Sequence, residues 1–181
     1  MAFGYEGKKV RLVPLDKTKH FENCLKWLND PEVTQYLLAG SYPITRIQEE
    51  DWFESMSRSK DSVIFAIETL DSHTHIGNSG LHHIDLLNGT ATSGSFIGVP
   101  ELWGRGFGSD AAYTRTEYAF DVLGLRLLMT AYLEGNERSK RMSEALGFKE
   151  YGYIPNRFWK NGKYVGEHLL MLERNDFIRR P

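Results

Sequence analysis

The residues with the clearest chemical potential form one run, Pro100-Glu101-Leu102-Trp103-Gly104-Arg105-Gly106-Phe107-Gly108-Ser109-Asp110-Ala111. Gly104, Gly106 and Gly108 alternate with larger residues, so the backbone can approach a ligand closely and turn several N–H groups toward it. A helix beginning here adds partial positive charge, which makes the run a diphosphate cradle in outline. It departs from the dinucleotide fingerprint Gly-x-Gly-x-x-Gly, because counting from Gly104 and Gly106 puts Ser109 where the third glycine belongs. It also lacks the lysine of a Walker A loop, offering Gly108-Ser109-Asp110 instead. A glycine-rich turn that only reverses the chain is the plain alternative.

The elements flanking this run decide where it sits. Val10, Leu12 and Leu15 suggest a first strand, and Phe21, Cys24, Leu25 and Leu28 recur at helical spacing until Asn29-Asp30-Pro31 stops them. Thr45-x-x-Gln48 fits a capping box ahead of a second helix with Trp52, Phe53 and Met56 on its apolar face. Between these helices, residues 33–43 read as aromatic and irregular. Strands are predicted at 63–68, 76–85 and 90–99, with Asn88-Gly89 as the hairpin signal in an antiparallel meander. The periodicity then turns helical, with Ala112, Thr116, Ala119, Phe120 and Leu123 on one face and Gly124 as the stop. Leu127 to Leu133 reads as a strand, Asn136 caps a short helix ended by Gly147, and 148–154 and 164–173 flank the turn Asn161-Gly162. The order implies a mixed α/β fold whose sheet of about seven strands is mostly antiparallel, with helices on both faces. Strand 90–99, helix 108–123 and strand 127–133 form its parallel crossover.

Length and composition set the class. At 181 residues the chain corresponds to one domain, 1–181, large enough to bury about 70% of its unfolded surface. Hydrophobic residues make up 41% and aromatic residues 13%, too rich for a disordered chain. The net charge of -2 lacks the basic excess that announces nucleic-acid or anionic-membrane binding. No apolar run reaches membrane-spanning length, and the start lacks the cationic and apolar regions of a signal peptide. The single cysteine, Cys24, cannot form an internal disulfide or supply a thiolate-rich metal site, so no metal is expected and the chain reads as cytoplasmic.

The run Trp103-Gly104-Arg105-Gly106-Phe107-Gly108 ahead of a helix resembles the acetyl-CoA signature Arg/Gln-x-x-Gly-x-Gly/Ala of the GCN5-related N-acetyltransferases (GNAT). Trp103 stands where many members carry Arg or Gln, and tryptophan there is usual in the RimJ/RimL-type branch that acetylates ribosomal-protein N-termini. Asn136-x-x-Ser139, Leu146-Gly147-Phe148 and Asn161-Gly162-Lys163-Tyr164 extend the resemblance in order across residues 75–175. It implies the GNAT fold, with strands 90–99 and 127–133 splayed around a slot for the pantetheine of acetyl-CoA, the cosubstrate. It places pantetheine contacts at Phe96, Ile97, Gly98 and Val99, and pyrophosphate contacts at Gly104, Arg105, Gly106, Phe107, Gly108 and Ser109. Asn136 matches a position that helps hold the pantetheine arm, and a plain helix cap is its other role. The acceptor would be a primary amine, with a protein or peptide N-terminal α-amine leading and polyamines, aminoglycosides and amino sugars as rivals. A homodimer is in keeping with the family, whereas direct nucleic-acid and membrane partners are not expected.

The resemblance also exposes two departures. Many members carry a tyrosine four residues before the Gly-Phe pair, to protonate or hydrogen-bond the leaving thiolate; here that position is Ser143. Ser143 or Ser139 is the remaining donor on the helix, against the commoner case of a serine facing solvent. Many members also carry Glu on the strand before the loop, yet residues 90–97 contain no carboxylate. His82, His83, Glu134, Glu167 and His168 are the titratable alternatives near the slot. Adjacent strand residues point oppositely, so only one of His82 and His83 can face it, and either also reads as a surface or core-edge histidine. A weak base suits an α-amine, neutral in roughly a tenth of molecules at pH 7, better than a lysine-like amine neutral in about one in 2,500. Glu49, Glu50, Asp51 and Glu54 could attract a cationic acceptor, although acids in a solvated first turn explain them as well. Cys24 reads as inert packing.

Overall fold

The computed structural model describes residues 5–181. One eight-stranded sheet runs through it in the order β1 (Tyr5–Glu6), β2 (Val10–Pro14), β3 (Val63–Thr69), β4 (His75–Asp85), β5 (Thr90–Ile97), β6 (Leu127–Leu133), β8 (Lys163–Glu173), β7 (Lys149–Lys160). Every neighbouring pair is antiparallel except β5 with β6. The helices are α1 (Lys17–Leu28), the single turn α2 (Pro31–Thr34), α3 (Arg46–Arg58), α4 (Phe107–Glu117) and α5 (Glu137–Leu146). A π-helical turn, Tyr118–Val122, prolongs α4, as expected where a helix end is adjusted to its packing.

The predicted elements are present, and the differences have local causes. The two-residue strand Tyr5–Glu6 raises the count from seven to eight; it is too short to leave a periodic signature. The Asn88-Gly89 signal belongs to a four-residue loop, where the Asp85 carboxylate accepts from the Asn88 N–H at 2.9 Å. Asn161 and Gly162, by contrast, both have positive φ, 51° and 81°, and form the two-residue turn predicted between β7 and β8. The capping box at Thr45 and Gln48 is formed in both directions. In α3, Glu49 lies on the stripe of Phe53 and is only 2% exposed, so this acid is not part of a solvated first turn. Burial pushes its carboxyl pKa up, and Oε1 has no hydrogen-bond partner among the described residues.

Side-chain alternation separates the two faces of the sheet. The Asn78 amide donates to Cys24 Sγ of α1 at 3.1 Å, whereas Ser79 accepts from Arg115 of α4 at 3.2 Å. The α4 face carries the main core, including Phe120, Leu12, Ile67 and Leu128, all at most 2% exposed, a burial that supplies most of the folding drive. On the α1 face, burial pushes the Cys24 thiol up to about 12, in keeping with inert packing. Beside it His20, His75 and Glu68 form a buried polar cluster, in which desolvation takes the His75 imidazole down to about 4 and leaves it neutral.

Candidate active site

The parallel pairing of β5 and β6 is short. Thr90, Ala91 and Thr92 pair with Leu127, Leu128 and Met129, after which the strands part. Each is held on its far side: β5 by β4 as far as Ile97, and β6 by β8 along Leu127 to Leu133. At the apex side chains replace the ladder, with Thr130 Oγ1 donating to Ser93 O at 2.9 Å. The indole N–H of Trp103 donates to Ile97 O at 2.8 Å, and the Gly98 N–H donates to Ile76 O on the β4 side. Because main-chain groups alternate in direction along a strand, those of Ser93, Ser95 and Ile97 face the fork while those of Phe96 and Gly98 face β4.

A cleft of about 490 Å³ lies at this fork. Its walls include Ser95, Phe96 and Ile97 of β5, the glycine loop, Ser139 and Met142 of α5, and Tyr36 beyond α2. Its lining thus joins α5 and the start of α4 to α2 and the segment just after it. Arg138 and Arg141 are its charged lining residues, and no carboxylate lines it among the described residues.

The glycine loop has the geometry its sequence implies. Gly104 and Gly106 have φ values of 72° and 88°, a left-handed region costly for any residue with a Cβ. Gly106 is the N-cap of α4 and supplies no side-chain cap. The N–H groups of Gly104 through Ser109 have no acceptor among the described residues, whereas the Asp110 N–H is the first to bond inside the helix, to Gly106 O at 3.0 Å. This leaves a row of donors with the helix dipole behind it, a fit for a diphosphate. The loop is fixed from behind by Asp110, 2% exposed, whose carboxylate accepts from the N–H groups of Lys8, Lys9 and Val10 at 3.1, 2.7 and 3.0 Å and from Arg180. Burial by itself would raise the Asp110 pKa; the Arg180 guanidinium and the three N–H groups outweigh it and hold the carboxyl below the usual range. In front, Trp103 ties the loop to β5, and the Arg138 guanidinium lies 4.1 Å above its ring, joining α5 to the loop at the mouth of the cleft.

The other sequence-predicted residues divide. Phe96, Ile97, Gly104, Gly106, Gly108, Ser109, Asn136 and Ser139 line the cleft, and the Asn136 side chain also caps α5 by accepting from the Ser139 N–H at 3.2 Å. Arg105 and Phe107 point off the cleft walls, and Gly98 lies under Trp27, where a Cβ would overlap the indole. Val99 is also off the cleft, at the start of the turn into the loop. Ser143 corrects the expectation of a donor, since it does not reach the cleft: it shares a face of α5 with Ser139, but one turn farther along that face is packed against the core and leaves it 3% exposed, away from the cleft lining. His83 is likewise carried away, sitting exposed in a bulge of β4 with φ 50°. His82 is half-buried on the α1 face, paired with Thr92 at the fork apex, and its Nε2 would lie 2.9 Å from a Cβ on Gly80. Burial first, then the neighbouring His83 and Arg115, lowers its pKa and favours the neutral imidazole. The Glu134 carboxylate accepts from the Gly166 N–H at 3.1 Å, Glu167 pairs with Arg157, and His168 lies 2.9 Å from Glu150, so each already has a structural partner.

Sequence reasoning missed Asp110 as the anchor of the loop and Arg115 as a buried cation. Both occur in a helix whose apolar spacing was legible, and Arg115 falls on that stripe with Ala112, Thr116 and Ala119, which is the signal that could have found it.

Comparison with known proteins agrees with this geometry. The family profile described as Acetyltransferase (GNAT) domain matches residues 9–149. An uncharacterized N-acetyltransferase, p20 of Bacillus licheniformis, is 27% identical over 158 residues, 85% of this chain and 86% of that one. Another, YoaA of Bacillus subtilis (strain 168), is 29% identical over 110 residues, 61% and 62% of the two chains. Spermidine N-acetyltransferase from Vibrio cholerae, crystallised with CoA and spermine, superposes with a TM-score of 0.85 at 19% identity, covering 94% of this chain and 98% of that one, a likeness of fold. A forked sheet with a donor-lined glycine loop beside the fork, together with this match over most of the chain, identifies the protein as a member of the GNAT family, an acetyltransferase that uses acetyl-CoA.

Proposed function

We propose that the chain moves the acetyl group of acetyl-CoA directly to a primary amine, with a protein or peptide N-terminal α-amine as the preferred acceptor, as in the RimJ/RimL-type branch. The observation carrying this reading is the cleft at the fork, lined by the donor-rich glycine loop and α5 together with Val33, Gln35, Tyr36 and Leu37, which gives a thioester and an amine a common place to meet beside the parted strands. The N–H groups of Gly106 to Ser109 hold the diphosphate, and Asn136 and the fork-facing N–H of Ile97, whose carbonyl is engaged by Trp103, hold the arm. The Ser95 N–H faces the place where the carbonyl oxygen gains negative charge, a position suited to stabilising an oxyanion. His82, kept neutral by burial and paired with Thr92 at the apex but outside the cleft lining, receives the amine proton through water. Metal ions have no part in this scheme.

The α-amine preference rests on charge. A polyamine brings several ammonium groups, and this cleft offers Arg138 and Arg141 with no carboxylate to pair them. An α-amine also needs only a weak base such as His82. A panel of free-N-terminal peptides, N-blocked lysine peptides, spermidine, glucosamine and an aminoglycoside, followed by CoA release and product mass, tests the reading. Peptides with free α-amines are expected to turn over fastest and to lose activity on N-terminal blocking. Faster turnover of spermidine overturns the preference, and CoA binding without turnover of any amine makes the protein an acyl-CoA sensor. A cytoplasmic setting accords with the lone unpaired cysteine, and among the described residues no helix is long and apolar enough to cross a membrane. A homodimer is supported by the twelve-residue edge strand β7, which exposes Tyr151, Tyr153 and Trp159, and light scattering tests it.

A further inference from the structure

Arg115 is an unusual side chain for its place. It lies on the stripe of α4 that packs against the sheet, 3% exposed, among positions otherwise filled by small or apolar residues. Its Nη1 donates to Ser79 Oγ at 3.2 Å, its Nε has no hydrogen-bond partner among the described residues, and no carboxylate there pairs with it. A buried guanidinium without a counter-ion is costly, and leaving such a charge uncompensated is rarely neutral. Ser79 is the direct register partner of Ser95, so their side chains share one face with Cβ atoms about 5 Å apart. Ser95 lines the cleft and turns its main chain into the fork. A cation, a hydroxyl and a second hydroxyl thus lead from the interior of α4 to the parted strands.

We propose that Arg115 is the positioning residue for the leaving thiolate, supplying through Ser79 and Ser95 the positive field that a tyrosine on α5 would otherwise supply by hydrogen bonding. The inference rests on acetyl-CoA occupying the fork as proposed above. In the reaction the amine nitrogen forms a bond to the carbonyl carbon, the C–S bond breaks, and sulfur leaves with the electron pair. The proton lost by the amine passes to His82 or solvent, and sulfur takes one back before CoA departs. Arg115 gains and loses no proton; burial brings its guanidinium down to about 10, so it is cationic at neutral pH. The other titratable or charged groups around this region are His82 and His83 of β4, Asp61 ahead of β3, Tyr118 of the π turn, and Arg138 and Arg141 of α5; β2 presents none of its own on this face.

The test titrates the thiol of CoA bound to the protein, by thiolate absorbance against the same protein holding desulfo-CoA, after calorimetry has shown that both bind. The bound thiol is expected to titrate about one pKa unit below free CoA, a roughly tenfold gain in thiolate fraction. R115M is expected to lose that shift and R115K to keep most of it, with kcat falling about tenfold in R115M and KM for acetyl-CoA changing less than twofold. Identical titration of bound and free CoA in the wild-type protein overturns the inference without any variant, which covers the case of R115M failing to fold. An unchanged shift in a folded R115M also overturns it. Absence of CoA binding to the wild-type protein instead overturns the acetyl-CoA reading on which it stands.

Discussion

Replacing Asp110 with Asn isolates the anchor of the glycine loop. The carboxylate accepts on Oδ2 from Lys9 and Val10 N–H groups and on Oδ1 from Lys8 N–H and Arg180. An amide of the same shape must turn its NH2 toward one of these donor pairs, so two bonds are lost and two donors meet a donor. Breaking one side of a buried charged pair costs about 3–5 kcal/mol, and charge-assisted bonds of this kind are worth about 1.5–3 kcal/mol each, so the two routes to the number agree. At this chain length that is a fall of roughly 6–20 °C in melting temperature. The folded-state pKa of Asp110 is depressed, so its contribution is complete above the unfolded-state value of about 4 and fades as pH drops through the folded value. The gap between wild type and D110N, measured by urea unfolding, is therefore constant from pH 6 to 8 and closes in acid. Acetyl-CoA affinity falls with it, because the N–H row is displaced when its rear support is lost. A D110N protein within about 1 kcal/mol of wild type, or a gap that widens in acid, refutes the reasoning.

Three further outcomes follow from the same geometry. G106A puts a Cβ 3.5 Å from the Lys9 stem, ordinary contact, so the cost is the left-handed φ alone, about 1–2 kcal/mol, and acetyl-CoA should bind roughly 5- to 30-fold more weakly by calorimetry; unchanged affinity argues against the loop as the diphosphate site. H82Q should lower kcat/KM at pH 7 and remove its acid limb, which in the wild type lies below the ordinary histidine range because the lowered pKa keeps His82 neutral further into acid, whereas H83Q should keep the limb and move it slightly toward higher pH, since His83 helps to lower the His82 pKa. Cys24, with its thiol at about 12, should resist a disulfide reagent in the native protein and react with one equivalent only on unfolding, so thiol detection of released CoA is free of background.

Local signals were sufficient for much of this protein. Hydrophobic period, caps and paired turn residues located nearly every strand and helix, because each depends on neighbours within a few residues. The glycine loop was legible for the same reason: Gly104 and Gly106 are required by their own backbone angles, and their N–H groups are orphaned by where α4 begins. What no local pattern contained was direction. Ser139 and Ser143 share one face of α5, and only packing decides that Ser139 lines the cleft while Ser143, one turn on, is buried; a bulge in β4 likewise leaves His83 exposed and His82 half-buried beside the apex, with neither in the cleft lining. Glu49 and Arg115 each fall on the apolar stripe of their helix, a local signal, but only long-range packing decides that the stripe closes over them. The fork belongs to the same class: β5 and β6 part after three residue pairs because each is held by a different neighbour, a competition between strands far apart in the chain that tertiary structure alone resolves.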